Sequence, residues 1–425
     1  MTTSPTGRGR REAAGQGTEH PLDGVRVLEL ANYMAGPYTG MLLADLGAEV
    51  IKIENPHGGD FSRLTGPFIE GESAGFMALN RNKKSVTLNL KHERGRAVFL
   101  DLVKTADVVI ENFRPGTMAD LRIDYAVLSR INPRLIYSSA AAFGQTGPYS
   151  QRAGLDLIVQ GMSGLMSITG ESGRPPVKVG VPIADLTTAL FGAVAILAAL
   201  RARDQTGEGQ QIDLSLLESA IALEVWETSG YFANGVVPEP LGSAHRVSAP
   251  YQAMRTADGY ITVGATSPRN WTALCQALGL EQLEHDARFA KVAVRRQRYQ
   301  ELAAIIEDVT RTQPSEHWYR LLEEAGVPCG VLNRIDQVVE DAQVKERDFV
   351  VDLPHTKVGR VRATGSPLRF SRTPVRLDHA GPVLGEHTFD VLSEQGLSER
   401  EIAELEDAGV VATGTVPAAS VIDQP

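Results

Sequence analysis

One acidic residue, Asp185, stands in a setting that suits chemistry. It closes the approach Lys178-Val179-Gly180-Val181-Pro182 and precedes a long run of apolar or small residues, Leu186 to Arg203 (LTTALFGAVAILAALRAR). Gly180 and Pro182 punctuate the backbone just before the acid, and the run after it reads as a buried helix. A carboxylate there falls at or near the N-cap, where backbone N–H groups and the helix dipole favour its ionised form. Acid–base and nucleophilic chemistry are both open to such a group. Equally, it could do no more than cap the helix.

Other chemistries find less support. Gly71-Glu72-Ser73-Ala74-Gly75 matches the G-x-S-x-G elbow of hydrolases. That motif needs a strand before the serine and a helix after it, whereas Thr65-Gly66-Pro67 precedes and a mixed Asn-Arg-Asn-Lys-Lys run follows, so a loop is expected. The nine histidines show no HExxH or paired spacing, and Cys275 and Cys329 are the only cysteines. No metal site and no disulfide framework are expected, and the sparse cysteines fit a reducing compartment.

The 42 basic and 52 acidic residues leave a net charge of −10 with no basic stripe, so nucleic acid is not an expected partner. Nor is a membrane, since the longest apolar run, Leu186–Leu200, is too short to span a bilayer. Residues 1–20 hold Gly, Thr, Arg and Glu but no apolar core; they read as a disordered tail rather than a signal peptide, and a cytoplasmic location is expected.

A chain of 425 residues implies two or three domains. Val25–Leu30 reads as a strand, Ala35-Gly36-Pro37 as a turn, Tyr38–Leu46 as a helix and Glu49–Ile53 as a second strand, which together make a βαβ unit. Strands at Ser85–Leu90, Asp107–Glu111 and Leu135–Ser139 alternate with helical segments at Glu93–Thr105 and near Tyr125–Ser129. The pattern predicts a doubly wound α/β domain, whose ligands bind outside the carboxyl ends of the strands. Asn32–Gly36, Asn112–Gly116 and Ala142–Gly147 are the Gly-containing loops at that edge. Glu54 sits where a dinucleotide fold carries its ribose-binding acid, but ANYMAGPYTG is no G-x-G-x-x-G, so a nicotinamide or flavin site is poorly supported.

Several segments resemble the class III CoA-transferases, of which formyl-CoA and carnitine-CoA transferases are members. They are Ala35-Gly36-Pro37, Asp45–Glu54 (DLGAEVIKIE), Asn80–Ser85 (NRNKKS), Glu111–Gly116 (ENFRPG) and the Asp185 segment, followed by Ala249-Pro250-Tyr251-Gln252, Ala257-Asp258-Gly259-Tyr260 and Leu384–Thr388 (LGEHT). The resemblance runs over roughly residues 22–411, in the same order throughout. It implies a Rossmann-like large domain built from both chain ends (21–225 and 331–425), an inserted small α+β domain (226–330 with linkers), and an interlocked homodimer. It also implies CoA transfer from an acyl-CoA donor to a carboxylic acid through an aspartyl-CoA thioester, with no permanently bound cofactor and coenzyme A entering as acyl-CoA substrate.

By the same resemblance Asp185 is the nucleophile, and Met34, Ala35, Leu88, Lys91, Asn112, Phe113 and Arg114 surround the CoA. Lys91 and Arg114 make independent sense as cations for its phosphates. Asp120 stands where many relatives carry an Arg toward the nucleotide. The α-methylacyl-CoA racemases share the fold but place a His before the Asp of a Gly-His-Asp segment; here Gly154-Leu155-Asp156 puts an apolar side chain there, which favours the transferase. A non-catalytic subunit of a hetero-oligomer is a further alternative, disfavoured by the intact Asp185 segment. Leu241–Arg246 lacks the glycine run of formyl-CoA transferase and resembles relatives that use succinyl-CoA and dicarboxylic acids. His245 and Arg246 are therefore candidates for a distal carboxylate.

Overall fold

The computed structural model describes residues 19–414, so nearly all of the tail expected over 1–20 lies outside the described residues. The chain divides into two compact units. One holds the chain up to Val159, Pro182–Ala220 and the chain from Asp348; the other holds Gln160–Val181 and Ile221–Arg347.

The first unit is organised on a parallel sheet. Its strands are β1 (Arg26–Leu30), β2 (Glu49–Glu54), β3 (Lys83–Thr87), β4 (Val108–Glu111), β5 (Ile136–Ala141) and β6 (Gln211–Ser215), in the spatial order β3-β2-β1-β4-β5-β6. Alternate residues serve opposite faces. Leu28, Leu30, Ile51, Ile53 and Val109 pack on one side, and Val27, Val50, Val108, Ile110 and Ile136 on the other. Strand order reverses between β1 and β4, so a crevice opens beyond their carboxyl ends, where Asn32–Gly36 and Asn112–Gly116 begin.

Helices α1 (Ala35–Asp45), α2 (Asp156–Ser163) and α3 (Ile183–Thr206) frame the region of Asp185. Leu43 and Ala44 of α1 and Ile196, Ala199 and Leu200 of α3 share one apolar cluster on the sheet. Two expectations about α3 need correction. It has 24 residues and is, by length and composition alone, long and apolar enough to cross a membrane, because the helix begins at Ile183, ahead of the apolar run, and continues beyond that run through a polar end to Thr206. It is also not buried all round: Leu190, Phe191, Val194 and Leu197 are exposed, because the sheet and α1 cover only the opposite face. Arg203, near its end, pairs with Asp107 at 2.9 Å.

Ser73 is no nucleophile. It is buried, caps the short helix Ala74–Leu79 by accepting the Phe76 N–H, and donates its hydroxyl to the Thr65 carbonyl. The preceding strand is the two-residue Glu72–Ser73, too short to build a hydrolase elbow.

The second unit carries a three-stranded antiparallel sheet of Tyr251–Arg255, Tyr260–Gly264 and Cys329–Val331. Its first two strands form the hairpin expected around Ala257-Asp258-Gly259, with Arg255 opposite Tyr260. Helices bring Trp271, Leu274, Leu302, Ile306, Trp318 and Leu322 onto that sheet.

Beneath the carboxyl end of β1 lies a group of charges fully shielded from solvent. Lys52 donates to the Glu29 carboxylate at 2.8 Å and to the Ala31 carbonyl at 2.7 Å, and pairs with Asp60 at 2.8 Å. Lys83 pairs with the other Glu29 oxygen at 2.8 Å and donates to the Pro37 carbonyl at 2.7 Å and to Asn80 at 2.8 Å. Gly40 of α1 passes so close that a Cβ there would overlap the Glu29 carboxylate. Gly40→Ala should therefore displace Glu29 from Lys83 and lower stability by about 3 kcal/mol, since breaking a buried pair leaves a charge uncompensated. Urea unfolding measures this, and a loss within experimental error would show that the network yields without penalty.

Candidate active site

Asp185 is the third residue of α3, in its first turn, and is half-buried. It does not cap the helix. Pro182 occupies the N-cap position and offers no side-chain acceptor. The acceptor comes from α2 instead: the Asp156 carboxylate takes the Ala184 N–H at 2.9 Å and lies 3.5 Å from the Asp185 nitrogen. The expectation that the helix start would favour ionised Asp185 is thus overturned. Burial first, and the negative charge of Asp156 second, push the Asp185 carboxyl up to about 7.

Thr39 fixes the height of Asp185 relative to the crevice. Its hydroxyl oxygen lies 2.9 Å from the Ala35 carbonyl oxygen and 3.3 Å from that of Ala189. Asp185 is one turn, about 5.4 Å, before Ala189, so it sits level with the start of α1. Gly192 permits this approach, because a Cβ there would already lie 3.0 Å from the Thr39 hydroxyl.

The residues assigned to CoA by resemblance all follow the carboxyl ends of β1, β3 and β4. Met34 precedes α1 as its N-cap residue without a side-chain cap bond, and Ala35 is its buried first residue. Asn112 turns its side chain onto the backbone of Asn32, accepting its N–H and donating to its carbonyl, each at 2.8 Å. Its amide therefore ties the β1 and β4 loops together. Gly36 is required at this junction, since a Cβ would overlap that of Ala31. The Phe113 ring leans on the core and its N–H goes to Glu111 at 2.8 Å. Arg114 is exposed at a cleft of about 270 Å³ that Glu111, Met118, Tyr125, Tyr137 and Gln145 also line.

Beyond β3 the two assigned residues differ. Lys91 is exposed, whereas the Leu88 side chain is buried in the core with 2% exposure and its N–H bonds the Glu54 carbonyl. Leu88 therefore keeps only its carbonyl for any ligand.

Glu54 is not a ribose acid. Arg63 grips both its oxygens at 2.7 Å and Ser85 donates to it at 2.6 Å. Burial alone would raise its carboxyl, yet Arg63 and Lys52 hold it below the usual range. Its hydrogen-bonding capacity is spent inside the protein.

His245 and Arg246 lie in the second unit, beside a cavity of about 540 Å³ that Ile168, Trp226, Glu227 and Leu241 also line. The Arg246 guanidinium already has partners, Glu227 at 3.3 Å and the Glu239 carbonyl at 2.9 Å. His245 packs edge-on against Tyr251 at 5.0 Å between ring centroids. Leu155, at the racemase histidine position, is 73% exposed. Among the described residues no group of three or more His, Cys, Asp or Glu could hold a metal ion.

Sequence reasoning treated Asp156 only as a neighbour of Leu155 and missed its tie to α3. Its signal was faint: a short acid opening one helix, 28 residues before Ala184 in a later helix that lacks a side-chain cap of its own.

A parallel sheet reversing at β1/β4, with helices on its faces and a crevice beyond its strand ends, marks an α/β protein whose fold places a ligand crevice at that edge. The chain belongs to CoA-transferase family III, whose family model matches residues 22–388. It is 42% identical over 387 residues to a succinate–glutarate CoA-transferase of Agrobacterium fabrum, covering 89% of this chain and 97% of that one. It is 37% identical to the human succinyl-CoA:glutarate CoA-transferase, over 92% and 90% of the two chains. Among solved structures it resembles a CaiB/BaiF family protein from Brucella suis, with a TM-score of 0.81, 39% identity, and 88% and 99% of the chains covered. It is a class III CoA-transferase, moving CoA between an acyl-CoA and a carboxylic acid.

The environment of Asp185 has a consequence for stability. Its carboxyl titrates at about 7 in the folded state and at about 3.9 in an unfolded chain, so the folded state holds the proton more tightly. The group's contribution is complete below pH ~4 and is lost as pH rises through ~7. Asp185→Asn should therefore be more stable than the parent at pH 8, by about 2 kcal/mol after allowance for the solvent reaching a half-buried group. The gap should close by pH 4. Equal stabilities at both pH values in urea titrations would contradict the assigned environment.

Proposed function

We propose that this enzyme transfers CoA from succinyl-CoA to a dicarboxylic acid through a covalent intermediate on Asp185. The observation that carries the reading is the placement of a half-buried carboxylate, with no arginine or lysine of the described residues among its charge contacts, level with the start of α1 at the crevice. Relatives whose names specify succinyl-CoA with glutarate, D-citramalate or mesaconate support the substrate class.

The chemistry is carboxylate exchange. An ionised Asp185 oxygen attacks the thioester carbonyl, the carbon–sulfur bond breaks, and a mixed anhydride and CoA thiolate result. The thiolate attacks the aspartyl carbonyl, releasing succinate and leaving an aspartyl-CoA thioester. The acceptor carboxylate attacks this thioester and frees the thiolate again. That thiolate captures the acceptor's carbonyl from the new anhydride and returns Asp185 as carboxylate. No proton need be supplied, and the carboxyl's midpoint of about 7 leaves it largely ionised above neutrality.

Met34, Ala35 and the Asn112–Arg114 loop are assigned to the CoA, with Arg114 and Lys91 as cations for its phosphates. Leu88 contributes through its backbone carbonyl alone. In the second unit His245 is the freer of the two residues for a distal carboxylate, since Glu227 already compensates Arg246.

The homodimer, interlocked and with the second unit inserted in the first, belongs to the same proposal. Its support is the exposed apolar face of α3, together with Trp226, Tyr231 and Phe232 on the helix Val225–Asn234. Sedimentation at micromolar concentration should give a dimer, and a fully active monomer would exclude it.

Incubation with succinyl-CoA and a panel of mono- and dicarboxylic acids, read by mass spectrometry, should give new thioesters of the dicarboxylic acids. With succinyl-CoA alone, the intact protein should gain the mass of CoA less water. Asp185→Asn should lose the adduct and at least 10³-fold in kcat. Near-normal turnover in folded Asp185→Asn would remove the residue from the mechanism. Solvent deuterium should not enter the α-carbon of 2-methylacyl-CoA esters, because Leu155 cannot carry a proton.

A further inference from the structure

We propose that Asp156 is the positioning residue of the nucleophile: as the acceptor for the first N–H groups of α3, it sets the register of the turn that bears Asp185 and withholds those donors from the Asp185 carboxylate. The inference rests on Asp185 being the nucleophile, and it adds a device that the transfer reaction alone does not require.

The geometry has three parts. Pro182 at the N-cap supplies no side-chain acceptor, so the start of α3 depends on a residue from elsewhere. Asp156 supplies it across 28 residues of sequence, with its Oδ1 2.9 Å from the Ala184 nitrogen and 3.5 Å from that of Asp185. The first turn is further tied by Thr188, whose hydroxyl donates to the Ala184 carbonyl at 2.7 Å. The backbone at residue 184 is therefore held from both sides, and Asp185 follows from it.

The electrostatic effect follows from the same contact. A carboxylate in the first turn of a helix is ordinarily stabilised by the free N–H groups and the dipole. Here another carboxylate has taken that place, and its charge opposes ionisation of Asp185. Among the described residues, the other elements packed against α3 bring no competing charge to bear. Tyr38 and Asp45 lie on α1, with Asp45 bound to Arg81 at the far end of that helix. On β5 Tyr137 donates to Glu111, and on β6 Asp213 accepts the Gln145 N–H. Asp107 holds Arg203 near the opposite end of α3. Among the described residues, Asp156 is the one charged group that acts on the Asp185 carboxyl. An anion denied these donors is less stabilised, hence more reactive toward a thioester carbonyl once formed.

The test is the pH profile of kcat/KM with succinyl-CoA and a competent acceptor. The wild-type midpoint should lie near 7, following Asp185. Asp156→Asn keeps a short acceptor for the Ala184 N–H but removes the charge. Its midpoint should fall by about one pH unit, with a several-fold lower plateau at high pH. Asp156→Ser, also a competent N-cap acceptor, should shift the midpoint the same way and serves if the Asn variant folds poorly. Asp156→Glu should keep the midpoint near the wild-type value but lower the plateau through misplacement. A purely structural Asp156 would lower activity at all pH values alike.

An unmoved midpoint in a folded, neutral variant overturns the proposal, as does a wild-type midpoint below 5. Either result leaves the role of Asp185 intact if the aspartyl-CoA adduct still forms. Loss of that adduct from the wild type would strike the proposed function instead.

Discussion

The first unit turns on Lys52, an ammonium group buried beneath its functional edge. Its three partners are the Glu29 carboxylate of β1, the Ala31 carbonyl just beyond it, and Asp60. Desolvation alone would strip the proton from such a lysine, but Glu29 and Asp60 hold its pKa well above normal. Asp60 in turn accepts the N–H of Tyr33, a residue at the left-handed φ of +62°. The unusual backbone just before Met34 is thus held by a buried charge. Lys83 completes the set by holding Glu29 and the Pro37 carbonyl of α1, and burial lowers its own pKa to about 8 despite Glu29. Strand end, loop and helix start share one ionic joint, which holds the edge of the crevice in place.

A second constraint acts at α3. Two acids, Asp156 and Asp185, are set against one helix start, and only one can take its donors. Asp156 takes them. Asp185 is left half-buried beside a like charge, which is unfavourable for folding at neutral pH and would be useful in the proposed attack on a carbonyl. Stability and reactivity are opposed here, and the compensating terms lie elsewhere: in the Thr39 bridge between α1 and α3, the Arg203–Asp107 pair, and the apolar cluster under both helices.

The alternation of strand and helix was legible because short Val/Ile/Leu runs are punctuated by Gly and Pro, so β1 to β5 and the Tyr251–Gly264 hairpin stand close to where the pattern puts them. Strand β6, Gln-Ile-Asp-Leu-Ser, escaped because an edge strand with three of its five residues polar carries a weak signal. The extent of the second unit escaped too, since Gln160–Val181 packs with a segment far along the chain. Within the site the acid itself was visible, but its electrostatics were not. Those depend on pairings such as Asp156 with Ala184 and Asn112 with Asn32, which join residues 28 and 80 positions apart. Glu54 misled for the same reason, because the arginine that consumes it leaves no mark in the local pattern of the strand.

The composition of α3 links its two faces. A helix apolar on every side is stable in water only if all sides are covered, and within the first unit only one is. Leu190, Phe191, Val194 and Leu197 then leave apolar surface in water at roughly 25 cal/mol per Å², a standing incentive for association. Asp185, the proposed nucleophile, sits on this helix, in the turn before that exposed stripe begins. Whatever covers the stripe also clamps the helix that carries Asp185, so in the proposed dimer each protomer would stiffen the platform of its partner's carboxylate. Such coupling would account for an enzyme that exposes so much apolar surface so close to its chemistry, where a soluble monomer would have placed polar residues.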